Sequence, residues 1–313
     1  MWSYALKRLL MTIPTLFLVS VIVFLLIRLI PGDPAEIMLN DLDSDIALEE
    51  MRSELGLDRP VPVQFVIWLG NMLSGDLGVS INTGEPVLSA IASRFGVTAT
   101  ITALAVILAV ILAVPAGIIA AWRQDTPLDY SIVFVSILFL SLPSFWLGLM
   151  MIFLFAITLG WLPTIGFVSV SEDFTGGIRY LVMPVATLAL VEMAVIARMV
   201  RSQTLEVLRL DYVTHARAKG LSEAVVLTRH VFKNAFGPAL TVIGLILGGL
   251  LGGASVTETV FSLPGIGRLL VDAIYARDYP VLQGCLLFIA FLYVIVNLVV
   301  DLLYMVFDPR VRL

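Results

Sequence analysis

Six stretches of this 313-residue chain are apolar over the length that a bilayer demands, at about 9–30, 97–122, 130–159, 180–200, 237–256 and 281–306. A helix crosses a hydrocarbon core of about 30 Å with about 20 residues. In that layer no water satisfies the backbone, so long apolar blocks without strand-like alternation must be helical. Composition agrees: 59% of the residues are hydrophobic and 14% charged, against about 25% charged in soluble domains. The fold class expected is an all-α integral membrane protein with six transmembrane helices. Pro143 falls within the third block and is expected to kink it.

The first block follows Lys7 and Arg8, as a secretory leader would. It outruns an h-region of about 7–15 residues and has no small-x-small cleavage site, so a retained anchor is expected. Lys and Arg set the orientation. With the N-terminus inside, the inner segments hold Lys7, Arg8, Arg123, Arg198, Arg201, Arg209, Arg217, Lys219, Arg229, Lys233, Arg310 and Arg312. Both termini are therefore expected in the cytoplasm. The organisation that follows is an N-terminal segment and first helix (1–30), an outer loop (31–96) and a five-helix core (97–306). The core includes a cytoplasmic loop (201–236) and an outer loop (257–280), and a short cytoplasmic tail (307–313) ends the chain.

The first outer loop opens with an acidic stretch at 33–54. Then "PVQFVIWLGNML" places Phe65, Trp68, Leu69 and Met72 at helical spacing. "PVLSAIASRF" reads as the start of a second short helix with Pro86 at its first turn. Such helices either lie on the membrane surface or form a platform for an external partner.

Several chemistries lack their residues. The lysines are Lys7, Lys219 and Lys233, and none follows a glycine, so there is no phosphate-binding P-loop. His215 and His230 are the only histidines and Cys285 the only cysteine, which leaves no zinc motif and no internal disulfide. There is no GxSxG elbow and no basic tract for nucleic acid. Glu192 reads as the one acid deep in a helix, and an isolated acid makes a poor catalytic site. Burying it ionised at the bilayer centre costs at least about 2.5–3.5 kcal/mol. It therefore either lines a wet path or bonds a neighbouring helix. In the fifth block Gly244, Gly248 and Gly252 recur every four residues, beside Gly249 and Gly253. Small residues at this spacing allow close helix packing, or give a face that lines a passage.

The loop between the fourth and fifth blocks contains "DYVTHARAKGLS". Its candidate residues are Arg209, Asp211, Tyr212, Thr214, His215, Ala216, Arg217, Ala218, Lys219, Gly220, Leu221 and Ser222. A short helix with small residues at Ala216, Ala218 and Gly220 can enter a cleft on another protein, its cations pairing with acids at the rim. A basic loop that merely obeys the positive-inside rule is the alternative.

"YVTHARAKGLS" resembles the coupling motif of permeases from binding-protein-dependent ABC importers, in their dipeptide, oligopeptide and nickel branch. "IPGDP", "LGLDRPVPVQFVIWLGNMLSGDLGVS", "ETVFSLPGIGRLLVDAIYARDYPVLQG" and the terminal "DPRVR" resemble the same branch, in the same order. Thr214 and His215 stand where the general motif begins Glu-Ala-Ala, and the later Ile-x-Leu-Pro is missing although Pro238 is near; this departs from the sugar branch. The resemblance implies the type I importer architecture in a bacterial or archaeal inner membrane. The implied partners are a second homologous permease, two ABC ATPases that carry ATP and Mg, an external solute-binding protein and membrane lipid. This chain would hold no cofactor or metal and catalyse nothing. The segment 209–222 would be the ATPase-coupling helix, and Trp68, Pro264, Gly265, Gly267, Arg277 and Asp278 would gate the outer side or meet the binding protein. Peptides are the expected cargo, with nickel complexes, glutathione-like peptides and glycosides as alternatives. A secondary carrier, which would usually show internal repeats and more intramembrane charges, is the more distant reading.

Overall fold

The computed structural model describes residues 2–29, 58–170 and 172–307. The acidic stretch at 33–54, "IPGDP" and "DPRVR" lie outside the described residues. The helices in chain order are α1 (Trp2–Leu29), α2 (Val61–Leu73), α3 (Val87–Trp122), α4 (Pro127–Ser141), α5 (Ser144–Met151), α6 (Phe174–Leu208), α7 (Asp211–Ala218), α8 (Phe232–Gly253), α9 (Ser255–Val260), α10 (Ile266–Tyr275) and α11 (Tyr279–Phe307). Among the described residues five helical stretches are long and apolar enough to cross a membrane, or six if the bent pair Pro127–Ser141 and Ser144–Thr158 is one span.

That pair is not the kinked helix expected around Pro143. Leu142 is extended at ψ 130° and Pro143 at ψ 135°, so the helix stops, restarts at Ser144 and turns through 99°. Proline disfavours the helical region for the residue before it and cannot donate the next ladder hydrogen bond. Beyond α5 the chain winds as π turns over Ile152–Thr158.

The segment "PVLSAIASRF" is not a separate short helix either. Pro86 caps α3, which continues unbroken for 36 residues, about 54 Å at 1.5 Å per residue. α6 is almost as long, and Asp173 caps it by accepting from Gly176 N at 3.0 Å and Thr175 Oγ1 at 3.0 Å. Those bonds hold the Asp173 carboxyl below its ordinary range.

α3 and α6 form the core of the bundle. Ala105, Ala109, Ala113 and Gly117 recur every four residues on α3, and the three alanines are fully buried. A Cβ at Gly117 would lie 2.7 Å from the Ala197 carbonyl oxygen of α6. Small residues let the two backbones approach, and Leu188, Ile196 and Val200 of α6 complete the contact. α8 leans on both helices, α11 packs on α8, and α1 packs on α11 at the edge of the bundle.

Candidate functional site

α7 is a short helix projecting from the end of α6. Arg209 is the C-cap of α6, Leu210 is extended, and α7 runs to Lys219 as its own C-cap. Gly220 then takes φ +80°, a left-handed conformation that costs glycine little. Its N–H bonds Arg217 O at 2.9 Å while Leu221 N bonds Ala216 O at 3.4 Å, the paired bonds of a Schellman turn. Of the twelve residues singled out in the sequence, those from Asp211 to Leu221 form α7 and its closing turn, while Arg209 ends α6 and Ser222 caps the next turn.

That element divides into an anchor and a free face. Val213 and Ala216 are buried with Val207, Val226, Val231 and Ala235. Ala216 therefore belongs to the chain's own core, not to a face that enters another protein. Tyr212, Thr214, His215, Ala218, Lys219, Leu221 and Ser222 are exposed. Arg217, expected as a cation for an acid on another protein, is exposed, and its Nε and Nη2 donate to Glu223 at 2.8 and 3.2 Å. Tyr212 also donates to His230 O at 3.3 Å.

The root of α7 is fixed. Arg201, seven residues before the end of α6, donates through Nε and Nη2 to Asp129, both at 2.7 Å. Asp129 is buried at the start of α4 and also accepts from Asp125 N at 3.1 Å. The bonds bind the α3–α4 turn to the stretch of α6 that carries α7. Nothing local in the sequence pairs two residues so far apart.

At the opposite end of α3, α9 and α10 carry the "LPGIG" turn. Pro264 is exposed, whereas Gly265 and Gly267 are buried. A Cβ at Gly265 would fall 2.2 Å from the Glu258 carboxylate, and one at Gly267 2.6 Å from Ser255 Cα. Glu258 is wholly buried: its Oε1 accepts from Thr98 Oγ1 at 2.6 Å and its Oε2 from Arg268 N at 2.9 Å. Thr98 Oγ1 in turn accepts from Ile266 N at 2.9 Å. A carboxylate from one helix and a hydroxyl from another thus cap the first turn of α10, where free N–H groups favour negative charge. Burial pushes the Glu258 carboxyl up from its ordinary range, and these hydrogen bonds oppose that push. The most deeply buried acid of the two is therefore Glu258, not Glu192, which is only half-buried in α6. Glu192 makes no hydrogen bond or ion pair among the described residues.

Arg277 and Asp278 do not form the ion pair that their adjacency suggests. Arg277 sits at φ 53°, and Asp278 is buried, accepting from Ser80 Oγ at 2.5 Å. The loop before α3 is thereby tied to the start of α11. Trp68 lies beside Phe24 of α1, with ring centroids 5.4 Å apart. The glycine stripe of α8 faces α11: a Cβ at Gly244, Gly248 or Gly252 would come 2.2 Å from Val300, 2.7 Å from Tyr293 or 2.8 Å from Ile289. Gly249 and Gly253 have open space, and Gly249 borders a cavity of ≈ 660 Å³ between α1, α8 and α11.

The chain is a multi-spanning helix bundle with one short exposed helix, α7, at the end of α6. Residues 113–313 match the family described as binding-protein-dependent transport system inner membrane component, and residues 1–102 match its N-terminal companion. This chain belongs to that family. The dipeptide transport system permease protein DppB of Alkalihalophilus pseudofirmus is 42% identical over 332 residues, with all of each chain covered. The di/tripeptide transport system permease protein DppB of Pseudomonas aeruginosa is 42% identical over 333 residues, covering 100% of this chain and 99% of that one. The glutathione transport system permease protein GsiC of Escherichia coli is 43% identical over 313 residues, with coverage of 100% and 99%. Among solved structures, a chain of the MetNI methionine ABC transporter in inward-facing conformations superposes with TM-score 0.60 at 17% identity, covering 70% of this chain and 96% of that one. That likeness supports the fold.

Proposed function

We propose that this chain is one permease subunit of an ATP-driven importer for peptides, forming half of a path with a second homologous permease. The observation that carries the coupling role is α7: an exposed helix clamped by its own Schellman turn onto a buried valine cluster, on a root fixed by Asp129 and Arg201. A force on α7 would pass into the bundle through Val207 of α6 and through Val226, Val231 and Ala235, on which Val213 and Ala216 pack. Its face of Tyr212, Thr214, His215, Ala218 and Lys219 would sit in a groove of a cytoplasmic ATPase, where ATP and Mg are bound. Closure of two ATPases would then rock α6 and the helices packed on it. Cargo would arrive from an external binding protein at the α9–α10 end, where the buried Glu258 network holds "LPGIG" in one conformation. Glu192, which has no hydrogen bond or ion pair among the described residues, would face the path; the glycine stripe of α8 serves packing on α11.

Peptide as the cargo rests on the relatives named for dipeptide and di/tripeptide transport. Native mass spectrometry of the gently solubilised protein, tagged on this chain in its own host, tests the assembly. Two ATPases and one related permease are expected. A lone chain recovered repeatedly under mild conditions would overturn the reading in favour of a self-sufficient carrier.

A further inference from the structure

α2 holds no charged residue in thirteen positions, so it lacks the polar face of a helix that floats on a membrane surface. One side of it lies on α1. Phe65 meets Phe24 with centroids 5.1 Å apart and Phe17 with centroids 5.9 Å apart. Arg28 lies over the Phe24 ring and donates to Gln64 Oε1. The apolar window of α1 runs from Arg8 to Leu26, so Phe17 is nine residues inside its end, about 13 Å along the helix. α2 therefore lies beside the apolar part of α1, not beyond it.

The other side of α2 is also apolar. Val63, Val66, Ile67 and Leu73 are exposed, Val66 at 66% and Leu73 at 77%. α1 likewise exposes Leu18, Ile22 and Leu25. Charge returns only at the two ends, with Arg59 before the helix and Asp76 after it. The last carbonyls are satisfied within the chain: Ser74 N bonds Gly70 O at 3.1 Å, Gly75 N bonds Met72 O at 3.0 Å and Asp76 N bonds Asn71 O at 2.9 Å. A helix end closed in this way tolerates an apolar surround. At thirteen residues it is too short to cross.

We propose that α2 is seated in the bilayer beside α1, with Val63, Val66, Ile67 and Leu73 covered by lipid acyl chains. The loop between the first two spans is then pinned to the membrane at its middle. The inference rests on α1 being a membrane span.

Single-site labelling tests it, because the sole native cysteine, Cys285, is buried. Bimane is attached to V66C, L73C, I13C on α1 and D76C in the full chain with its co-purifying partners. The complexes go into phosphatidylcholine nanodiscs with or without lipid brominated midway along the acyl chain, and aqueous iodide is the second quencher. The expected result is strong quenching of V66C, L73C and I13C by the brominated lipid with little effect of iodide, and the reverse at D76C. Iodide quenching at V66C and L73C would overturn the proposal in favour of a solvated face. Resistance to both quenchers would overturn it in favour of a protein cover. Failure at I13C as well would overturn the membrane reading of α1 itself, whereas failure at V66C and L73C alone removes only the seating of α2.

Discussion

The two ends of α3 use opposite means to hold a short helix in place. Near its start, Thr98 and Glu258 bury a carboxylate to fix α10. Beyond its other end the part-buried Asp129–Arg201 bonds hold only the root in α6, and α7 itself rests on a small valine cluster and an exposed Arg217–Glu223 pair. A buried polar network is costly to break, because each group left without its partner keeps its full desolvation penalty. An exposed pair is cheap to lose, because water replaces it. The α9–α10 end is thus built to keep one conformation, and the α7 end to present a surface at little cost in its own stability.

The largest effect expected is at Glu258. Glu258→Ala strands the buried Thr98 hydroxyl and the part-buried Arg268 N–H, and at about 1–3 kcal/mol for each lost partner the loss is about 3 kcal/mol. Thermal unfolding in detergent should show a midpoint well below that of the parent chain, with poor recovery of monodisperse protein. An unchanged midpoint would mean that the network does not hold α10, and the contrast between the two ends would collapse.

Next is the glycine stripe. Gly244→Ala drives a methyl into Val300, and overpacking of this kind costs about 1–3 kcal/mol. The double variant with Val300→Ala should recover much of the loss, whereas Gly249→Ala, which meets open space, should change little. Equal effects at Gly244 and Gly249 would refute the view that one face of α8 is for packing and the other is not.

These examples separate what the sequence discloses from what it does not. The spans were legible because bilayer thickness fixes a length and the apolar blocks meet it. α7 was legible because it is polar amid apolar neighbours and its residues are contiguous. The stripe Ala105, Ala109, Ala113 and Gly117 was equally periodic, but alanine within a long apolar run attracts no notice. Glu258 with Thr98, and Asp129 with Arg201, were hidden for a different reason: they lie 160 and 72 residues apart. Only the fold brings them together, and a single sequence carries no mark of the pairing. Pro143 was visible, but whether a proline bends a helix or ends it depends on the backbone before it, and Leu142 had to be seen extended.

At the α7 end the effects on stability should shrink while those on transport persist. Gly220→Ala places a Cβ at φ +80° with no atom within 4 Å of it, so the cost is backbone strain of about 1–2 kcal/mol. The chain should still be recovered with its partners, but peptide uptake into proteoliposomes should fall sharply as the Schellman turn distorts. Full uptake would sink the coupling role assigned to this turn.

The smallest effect expected is at Arg217, and it sharpens the comparison most. If this guanidinium serves only Glu223, then Arg217→Ala and Glu223→Ala should each cost at most about 1 kcal/mol, as exposed pairs do. A double-mutant cycle should then return a coupling energy of the same small size, and the two single variants should reduce uptake alike. If Arg217→Ala instead abolishes uptake while Glu223→Ala leaves it intact, the arginine must leave its intramolecular partner for an acid on another chain. The pair would then be a latch released on docking, and the α7 end would be a switch, not a fixed handle.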